Sequence, residues 1–469
     1  DVCMLDGGQI MIPGVGIEAT FAKGLLDKVG VKADYVQIGE YKGADEQFTR
    51  TEPTPELRGE LNKLMDALYA QIVDGIARHR KLPADSVKQL IDEALVSART
   101  AKARGLVDHL VDQDGLRDLL TETLGDKIDL LHHYGQDQRE AVDLSSPFGF
   151  FALFAKKPEE TSRPAVALIY AAGTIIDGQG GEGMFGDGFV GSDTMRQALR
   201  SATRDENIKA IVIRIDSPGG SAVASEAMWQ AARRAAAKKP LVISIGGMAA
   251  SGGYYLASAG DMVFADSTAI VGSIGVVGGK FVLKDLYDKL GLTSEAFLRG
   301  RNADLFSSNQ PFNERQRKLI TGWMRETYDQ FTERVMTTRQ GKIQDIDQVA
   351  RGRIFLARDA KQLGMVDEIG GMQQAIAHAA RKVDLESGEF DVKVLPAPKT
   401  LADLFTGRGD QDEFEARLPI RPRVKIGEES ILRLLSPGAR RALMQQVHFL
   451  QLLQERPVIL ASPFTIHVR

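Results

Sequence analysis

The chain has 469 residues, 43% hydrophobic and 26% charged, with a net charge of −4. That length supports roughly two or three domains with sizeable cores, and the charge leaves no basic footprint for nucleic acid. A single cysteine, Cys3, excludes an internal disulfide and any cysteine-based metal cluster, and no run reaches the ~18 apolar residues that a membrane-spanning helix needs.

In chain order, residues 1–16 read as the end of a sheet unit, and Ile17 to Gly30 has a helical period. Val31 to Ile38 suggests a strand, followed by the loop Gly39-Glu40-Tyr41-Lys42-Gly43-Ala44. Pro55 to Arg80 predicts a long amphipathic helix, with Leu57, Leu61, Leu64, Met65, Leu68, Ile72 and Ile76 on a core-facing stripe. Lys81-Leu82-Pro83 ends that helix, and Asp85 is suited to capping the next. A polar linker runs from about Leu131 to Ser162.

Beyond it, Pro164 to Tyr170, Ala210 to Ile215 and Leu241 to Ile245 are short β-branched runs that read as buried strands. Helical segments near Ser192–Thr203 and Ala222–Ala237 alternate with them. The alternation indicates α/β architecture, a parallel sheet covered by helices. The glycine-rich loop Asp177 to Gly183 lacks the Gly-Lys-Ser/Thr of a phosphate-binding loop. Past Val394 the sequence offers a helix from Pro437 to Gln454 and no role for it.

Two turns in this half carry chemistry. Asp216-Ser217-Pro218-Gly219-Gly220-Ser221 follows a strand, and its Gly-Gly pair can aim backbone N–H groups at a developing oxyanion. Gly246-Gly247-Met248-Ala249-Ala250-Ser251-Gly252-Gly253-Tyr254-Tyr255 puts Ser251 on a glycine-flanked turn between strand and helix. There a serine gains an exposed oxygen, free N–H groups and the positive end of a helix dipole. Either turn alone is compatible with an ordinary connection in a parallel sheet; together, on successive strand units, they are more specific.

The chain also repeats itself. Asp1-Val2-Cys3-Met4-Leu5-Asp6 matches Asp261-Met262-Val263-Phe264-Ala265-Asp266, an offset of 261 − 1 = 260. Lys23 to Gly30 matches Lys284 to Gly291, an offset of 284 − 23 = 261, and Ala98-Arg99 to Val107-Asp108 matches Ala357-Arg358 to Val366-Asp367, an offset of 357 − 98 = 259. On this spacing the counterpart of Ser251 would precede Asp1, so the first repeat is expected to lack its front half.

The segments Arg214 to Ser221, Met248 to Tyr255 and Val271-Gly272-Ser273-Ile274-Gly275-Val276 resemble the signal peptide peptidase A (protease IV) family, over the chain up to about Val394. The resemblance implies a tandem repeat of Clp-protease/crotonase-like units: 1–130 as a truncated first repeat, 131–162 as linker, 163–394 as second repeat and 395–469 as an extension. It implies a Ser/Lys peptidase without cofactor or metal, with Ser251 as nucleophile, Lys42 as general base, and the Gly220 and Gly252 N–H groups as oxyanion hole. Signal peptides and unfolded polypeptide segments are the implied substrates. A homotetrameric bowl is implied, held in the bacterial cell envelope by an N-terminal anchor that precedes Asp1.

Residue chemistry bears on the base independently. None of the seven histidines (His79, His109, His132, His133, His378, His448, His467) lies near the Ser251 motif in sequence. A lysine needs its pKa brought down from about 10.4, which apolar burial achieves. An offset of 259 sets Lys42 opposite Arg301, which stays protonated, so the site is expected to draw its serine from one repeat and its lysine from the other. Gly43 departs from the family, where serine is frequent, and Ser217 and Ser221 are the candidates to replace that hydroxyl. Two rival readings remain at this stage: a crotonase-like acyl-CoA enzyme that needs neither Ser251 nor Lys42, and a non-catalytic oligomeric scaffold.

Overall fold

The computed structural model describes residues 1–125, 163–182, 188–396 and 458–461; the expected linker and the helix expected over Pro437–Gln454 lie outside the described residues. The chain forms two compact units. One comprises Asp1–Asp112 with Val276–Gln330 and Leu452–Ile459, the other Gln113–Gly275 with Phe331–Gln451 and Leu460–Arg469.

The second unit is built on a mostly parallel sheet. From one edge its strands run Ile354–Leu356, Ile270–Gly272, Leu241–Ala250, Ile208–Ser217, Ala165–Ala172 and Asp391–Leu395. Only the first of these pairs is antiparallel. The ten-residue strand Leu241–Ala250 changes partner along its length. Val242 to Ile245 pair with Met262–Ala265, and Met248 to Ala250 pair with Ile270–Gly272.

These strands are buried on both faces, as their unbroken apolar runs require. Val166, Leu168, Ala210, Val212 and Val242 pack against the helix Met372–Arg381 through Ala375, Ala379 and Ala380. Their neighbours Ala167, Ile169, Ile211, Ile213 and Ile243, pointing the other way, are equally buried. The helices Ser192–Arg204 and Ala222–Ala236, within a residue of their expected ends, pack on each other and on the sheet. The expected α/β fold, a parallel sheet covered by helices, is what forms.

The first unit differs more from expectation. Val15–Phe21 is a strand where a helix was read, and only Lys23–Lys28 is helical. The alternation of half-buried and exposed residues along Val15–Phe21 is the two-residue period of a strand. Its antiparallel partner is Thr293–Arg299, with Val15 opposite Arg299 and Phe21 opposite Thr293. This pairing joins Val276–Gln330 to Asp1–Asp112. Conversely, the strand expected over Val31–Ile38 does not form; Val36 is 94% and Ile38 90% exposed, with no partner strand among the described residues.

The helix Pro55–Arg80 forms as expected, with proline in its first turn and the Thr54 hydroxyl accepting from the Leu57 N–H. Lys81 closes it in the left-handed conformation. Its inward stripe is narrower than read: Met65 and Val73 are buried, whereas Leu64 and Leu68 are exposed. Pro83, not Asp85, takes the N-cap position of Ala84–Glu93.

Candidate active site

The strand Leu241–Ala250 ends directly at Ser251, and the helix Gly252–Ala257 begins at the next residue. So abrupt a change forces Ser251 to φ 53° and ψ −118°, an unfavourable region for a residue with a Cβ that costs on the order of 1–3 kcal/mol. The turn is held by the Ser251 N–H donating to the Gly272 carbonyl at 2.7 Å and by the Tyr255 N–H donating to the Ser251 carbonyl at 2.9 Å. Against the exposed oxygen expected of such a turn, Ser251 is fully buried, closed in by the Gly219–Gly220 turn, and its Oγ finds no hydrogen-bond partner among the described residues. Folded backbones rarely keep a strained turn that presents an unsatisfied hydroxyl, and such strain clusters at functional sites.

Close approach explains the two glycines that follow. A Cβ on Gly252 would lie 2.5 Å from the Ser225 Oγ and 3.3 Å from the Gly219 Cα and Gly220 N. One on Gly253 would lie 2.7 Å from the Ser217 carbonyl oxygen. The Ser217–Ser221 turn is thus pressed against the start of the Gly252–Ala257 helix, bringing Ser251, Gly252 and Gly220 together. Gly252, as the first helical residue, has an N–H with no acceptor one turn back. Gly220 is itself at φ 157° against Ile175, whose carbonyl would lie 2.0 Å from any Cβ there.

Ser217 and Ser221 brace this turn. The Ser217 hydroxyl donates to the Gly173 carbonyl at 2.7 Å and accepts from the Gly219 N–H at 3.1 Å. The Ser221 hydroxyl donates to Asp177 at 3.0 Å and caps the next helix by accepting from the Ala224 N–H at 3.2 Å. Both hydroxyl protons are therefore committed within this unit.

Beneath the Ser251 turn lies a buried polar network that sequence reasoning missed. The Tyr255 hydroxyl donates to Glu226 at 2.6 Å, and Arg334 donates to the same carboxylate through Nη2 at 2.7 Å and Nε at 3.1 Å. The Arg334 guanidinium lies 4.9 Å from the centre of the Trp229 ring, and the Trp229 indole donates to Ser258 at 3.2 Å. Tyr254 donates to the Met365 carbonyl at 3.1 Å, and burial pushes its hydroxyl pKa up to about 12. Burial, and then the neighbouring Glu226 carboxylate, holds Tyr255 well above its ordinary value. Both tyrosines are therefore neutral props of the helix and not acids or bases. The one available signal was Glu226 itself, a carboxylate amid the small and apolar residues of Ala222–Ala236.

Lys42 lies in the other unit, exposed in the loop Gly39 to Ala44, with its N–H donating to the Gly39 carbonyl at 3.0 Å. Gly43 has a local reason. A Cβ there would lie 2.7 Å from the buried Glu46 carboxylate, which accepts from the Thr54 N–H and hydroxyl, each at 2.7 Å. Of the seven histidines, His378 packs edge-on against Phe264, and burial followed by Lys382 and Arg381 lowers its pKa.

The chain is similar to known proteins over most of its length. Residues 2–125 and 233–386 match peptidase family S49, and residues 191–271 match Clp protease. The chain is 30% identical over 402 residues to "Serine protease SPPA, chloroplastic" of Arabidopsis thaliana, covering 84% of this chain and 58% of that protein. It is 30% identical over 387 residues to "Protease 4" of Haemophilus influenzae, covering 80% and 60%. To "Putative signal peptide peptidase SppA" of Enterococcus faecium it is 28% identical over 221 residues, covering 46% and 63%. The chain thus spans about 58–60% of the length of the first two relatives. The two-part match follows the internal repeat, and the chain belongs to peptidase family S49.

Proposed function

We propose that this chain is a serine endopeptidase that hydrolyses cleaved signal peptides and other apolar, unfolded polypeptide segments. The observation that carries the reading is Ser251: strained, buried, unpaired at Oγ among the described residues and seated against the Gly219–Gly220 turn. In the first step Oγ attacks the peptide carbonyl while its proton passes to a neutral Lys42 amine. The Gly220 and Gly252 N–H groups donate to the oxyanion. Collapse expels the amine product, which takes the proton from Lys42, and a water deprotonated by the same amine then hydrolyses the acyl-enzyme. No cofactor takes part.

Membership of family S49, the lysine motif around Lys42 and the internal repeat support the Ser251–Lys42 pairing. A lysine exposed to water stays charged, so a basic amine requires Lys42 to be covered. The segment beside it, with Tyr35, Val36, Ile38 and Tyr41 all exposed, is the kind of apolar surface that an assembly buries. This favours a homo-oligomer, a tetramer by resemblance, in which association desolvates the base. The relatives named Protease 4 and SppA are bacterial in part, which favours the bacterial envelope. Among the described residues no helix is long and apolar enough to cross a membrane.

The test is hydrolysis of a quenched fluorescent peptide with an apolar, signal-peptide-like sequence. Wild-type protein is expected to cleave it, whereas Ser251→Ala and Lys42→Ala are each expected to lose about 10³-fold or more, in line with members of a catalytic unit acting together. Retention of activity by Ser251→Ala would end the reading.

A further inference from the structure

A cavity of about 530 Å³ lies in the second unit among the helices Gly115–Leu124, Ser192–Arg204 and Ala222–Ala236, away from the Ser251 turn. Its size is that of a small-molecule site, typically ~300–1,000 Å³. Six cations line it: Arg117, Arg196, Arg200, Arg204, Arg234 and Lys238. Three carboxylates oppose them among the described residues, Asp114, Asp118 and Asp193, so this lining carries 6 − 3 = 3 more cations than carboxylates, with Arg204 and Arg234 engaged in further contacts. Leu116, Leu120, Leu199 and Ala231 supply apolar lining between the charges.

The ion pairs among the described lining residues are long. Asp114 is shared by Arg196 and Arg200, each at 3.4 Å; Arg196 also meets Asp193 at 3.1 Å, and Arg234 meets Asp118 at 3.2 Å. Well-made charge-assisted hydrogen bonds are shorter, about 2.7–2.9 Å. Arg196 is held with only 8% of its side chain exposed. Neither Arg117 nor Lys238 has a carboxylate partner among the described residues.

Helix stability does not account for this charge. Cations suit the C-terminal turn of a helix, as Arg204 and Arg234 do. Arg117 instead stands in the first turn of Gly115–Leu124, where the positive end of the helix dipole already points and a cation is disfavoured. An anion in the cavity would reconcile these features. Guanidinium groups with an apolar floor fit a phosphoryl group attached to an organic body.

We propose that this cavity binds an organic phosphate, whether a soluble phosphate ester or the headgroup of an anionic phospholipid. The proposal is independent of the peptidase reading, since it uses no residue of the Ser251 turn. Two arms on the full chain identify the source: calorimetric titration with adenosine triphosphate at low salt, and co-flotation with phosphatidylglycerol vesicles against phosphatidylcholine vesicles.

The wild type is expected to bind in one arm, and the double variant Arg117→Glu/Lys238→Glu to bind at least tenfold more weakly while keeping its unfolding midpoint. Binding in the first arm alone assigns a soluble ligand, and binding in the second alone assigns a lipid headgroup. Should the double reversal fail to fold, Arg117→Gln/Lys238→Gln is expected to weaken binding several-fold and to flatten its salt dependence. Wild-type protein that binds in neither arm, or variants that bind as well as the wild type, would overturn the proposal.

Discussion

Arg334→Ala removes one half of a buried ion pair and leaves Glu226 charged with only the neutral donors Tyr255 and Gln230. Glu226 is 2% exposed and the Arg334 side chain 13%, so the carboxylate left behind has almost no water to turn to. Breaking a buried pair from one side costs about 3–5 kcal/mol, whereas replacing both partners by apolar residues of similar size is often neutral. Urea unfolding followed through Trp229, whose ring lies under the guanidinium, reads this directly once Trp323→Phe removes the other tryptophan. With a urea slope of about 3 kcal/mol/M, the loss moves the midpoint of the second unit down by roughly 1–2 M. Glu226→Leu/Arg334→Met should recover most of that shift while Tyr255 loses its acceptor. A single-mutant shift under about 0.3 M would refute the claim that this network props the helix behind Ser251. So would a double mutant as unstable as Arg334→Ala.

Three further outcomes follow from the geometry. Gly253→Ala forces a Cβ to 2.7 Å from the Ser217 carbonyl oxygen, a backbone atom that cannot swing aside; overpacking costs about 1–3 kcal/mol, and peptidase activity should fall further than stability because the turn at Gly219–Gly220 is displaced. Gly43→Ser should destabilise the first unit by about 1–3 kcal/mol through collision with Glu46, seen as a lower thermal midpoint without gain in hydrolysis. Burial alone would raise the Asp367 carboxyl, but the neighbouring Arg339 and Lys342 outweigh it and hold its pKa below the ordinary value. A carboxyl depressed on folding contributes stability above its unfolded pKa of about 3.9 and loses it as pH falls through the folded value. Asp367→Asn should therefore be less stable than wild type at pH 7, by about 3–5 kcal/mol because Arg339 is left buried without its partner, and the gap should narrow in acid-unfolding curves below pH 4.

Much of the second unit was legible because its signals are local. Strands buried on both faces must be continuously apolar, as in Ile211-Val212-Ile213 and Leu241-Val242-Ile243, and helices between them must show an apolar face. Ser251 was legible for the same reason, since a strand-to-helix turn with close backbone neighbours demands glycines beside the serine. The first unit was harder. Val15–Phe21 and Val31–Ile38 carry comparable apolar content, and what decides between them is whether a partner strand exists, which Thr293–Arg299 supplies to the former alone. No window of sequence contains a pairing more than 270 residues apart. The Tyr255–Glu226–Arg334 network escaped for that reason too, because Glu226 and Arg334 are separated by 108 positions and share no period.

The central claim, a Ser251 nucleophile activated by Lys42, is tested most directly by a serine-reactive phosphonate probe on the full chain, with the modified residue read by mass spectrometry. Wild-type protein is expected to carry the adduct at Ser251, and Lys42→Ala to lose labelling while retaining its unfolding midpoint. An adduct at Ser251 that forms equally fast without Lys42 would contradict the assigned base. A well-folded protein with no adduct at Ser251 would contradict the account as a whole.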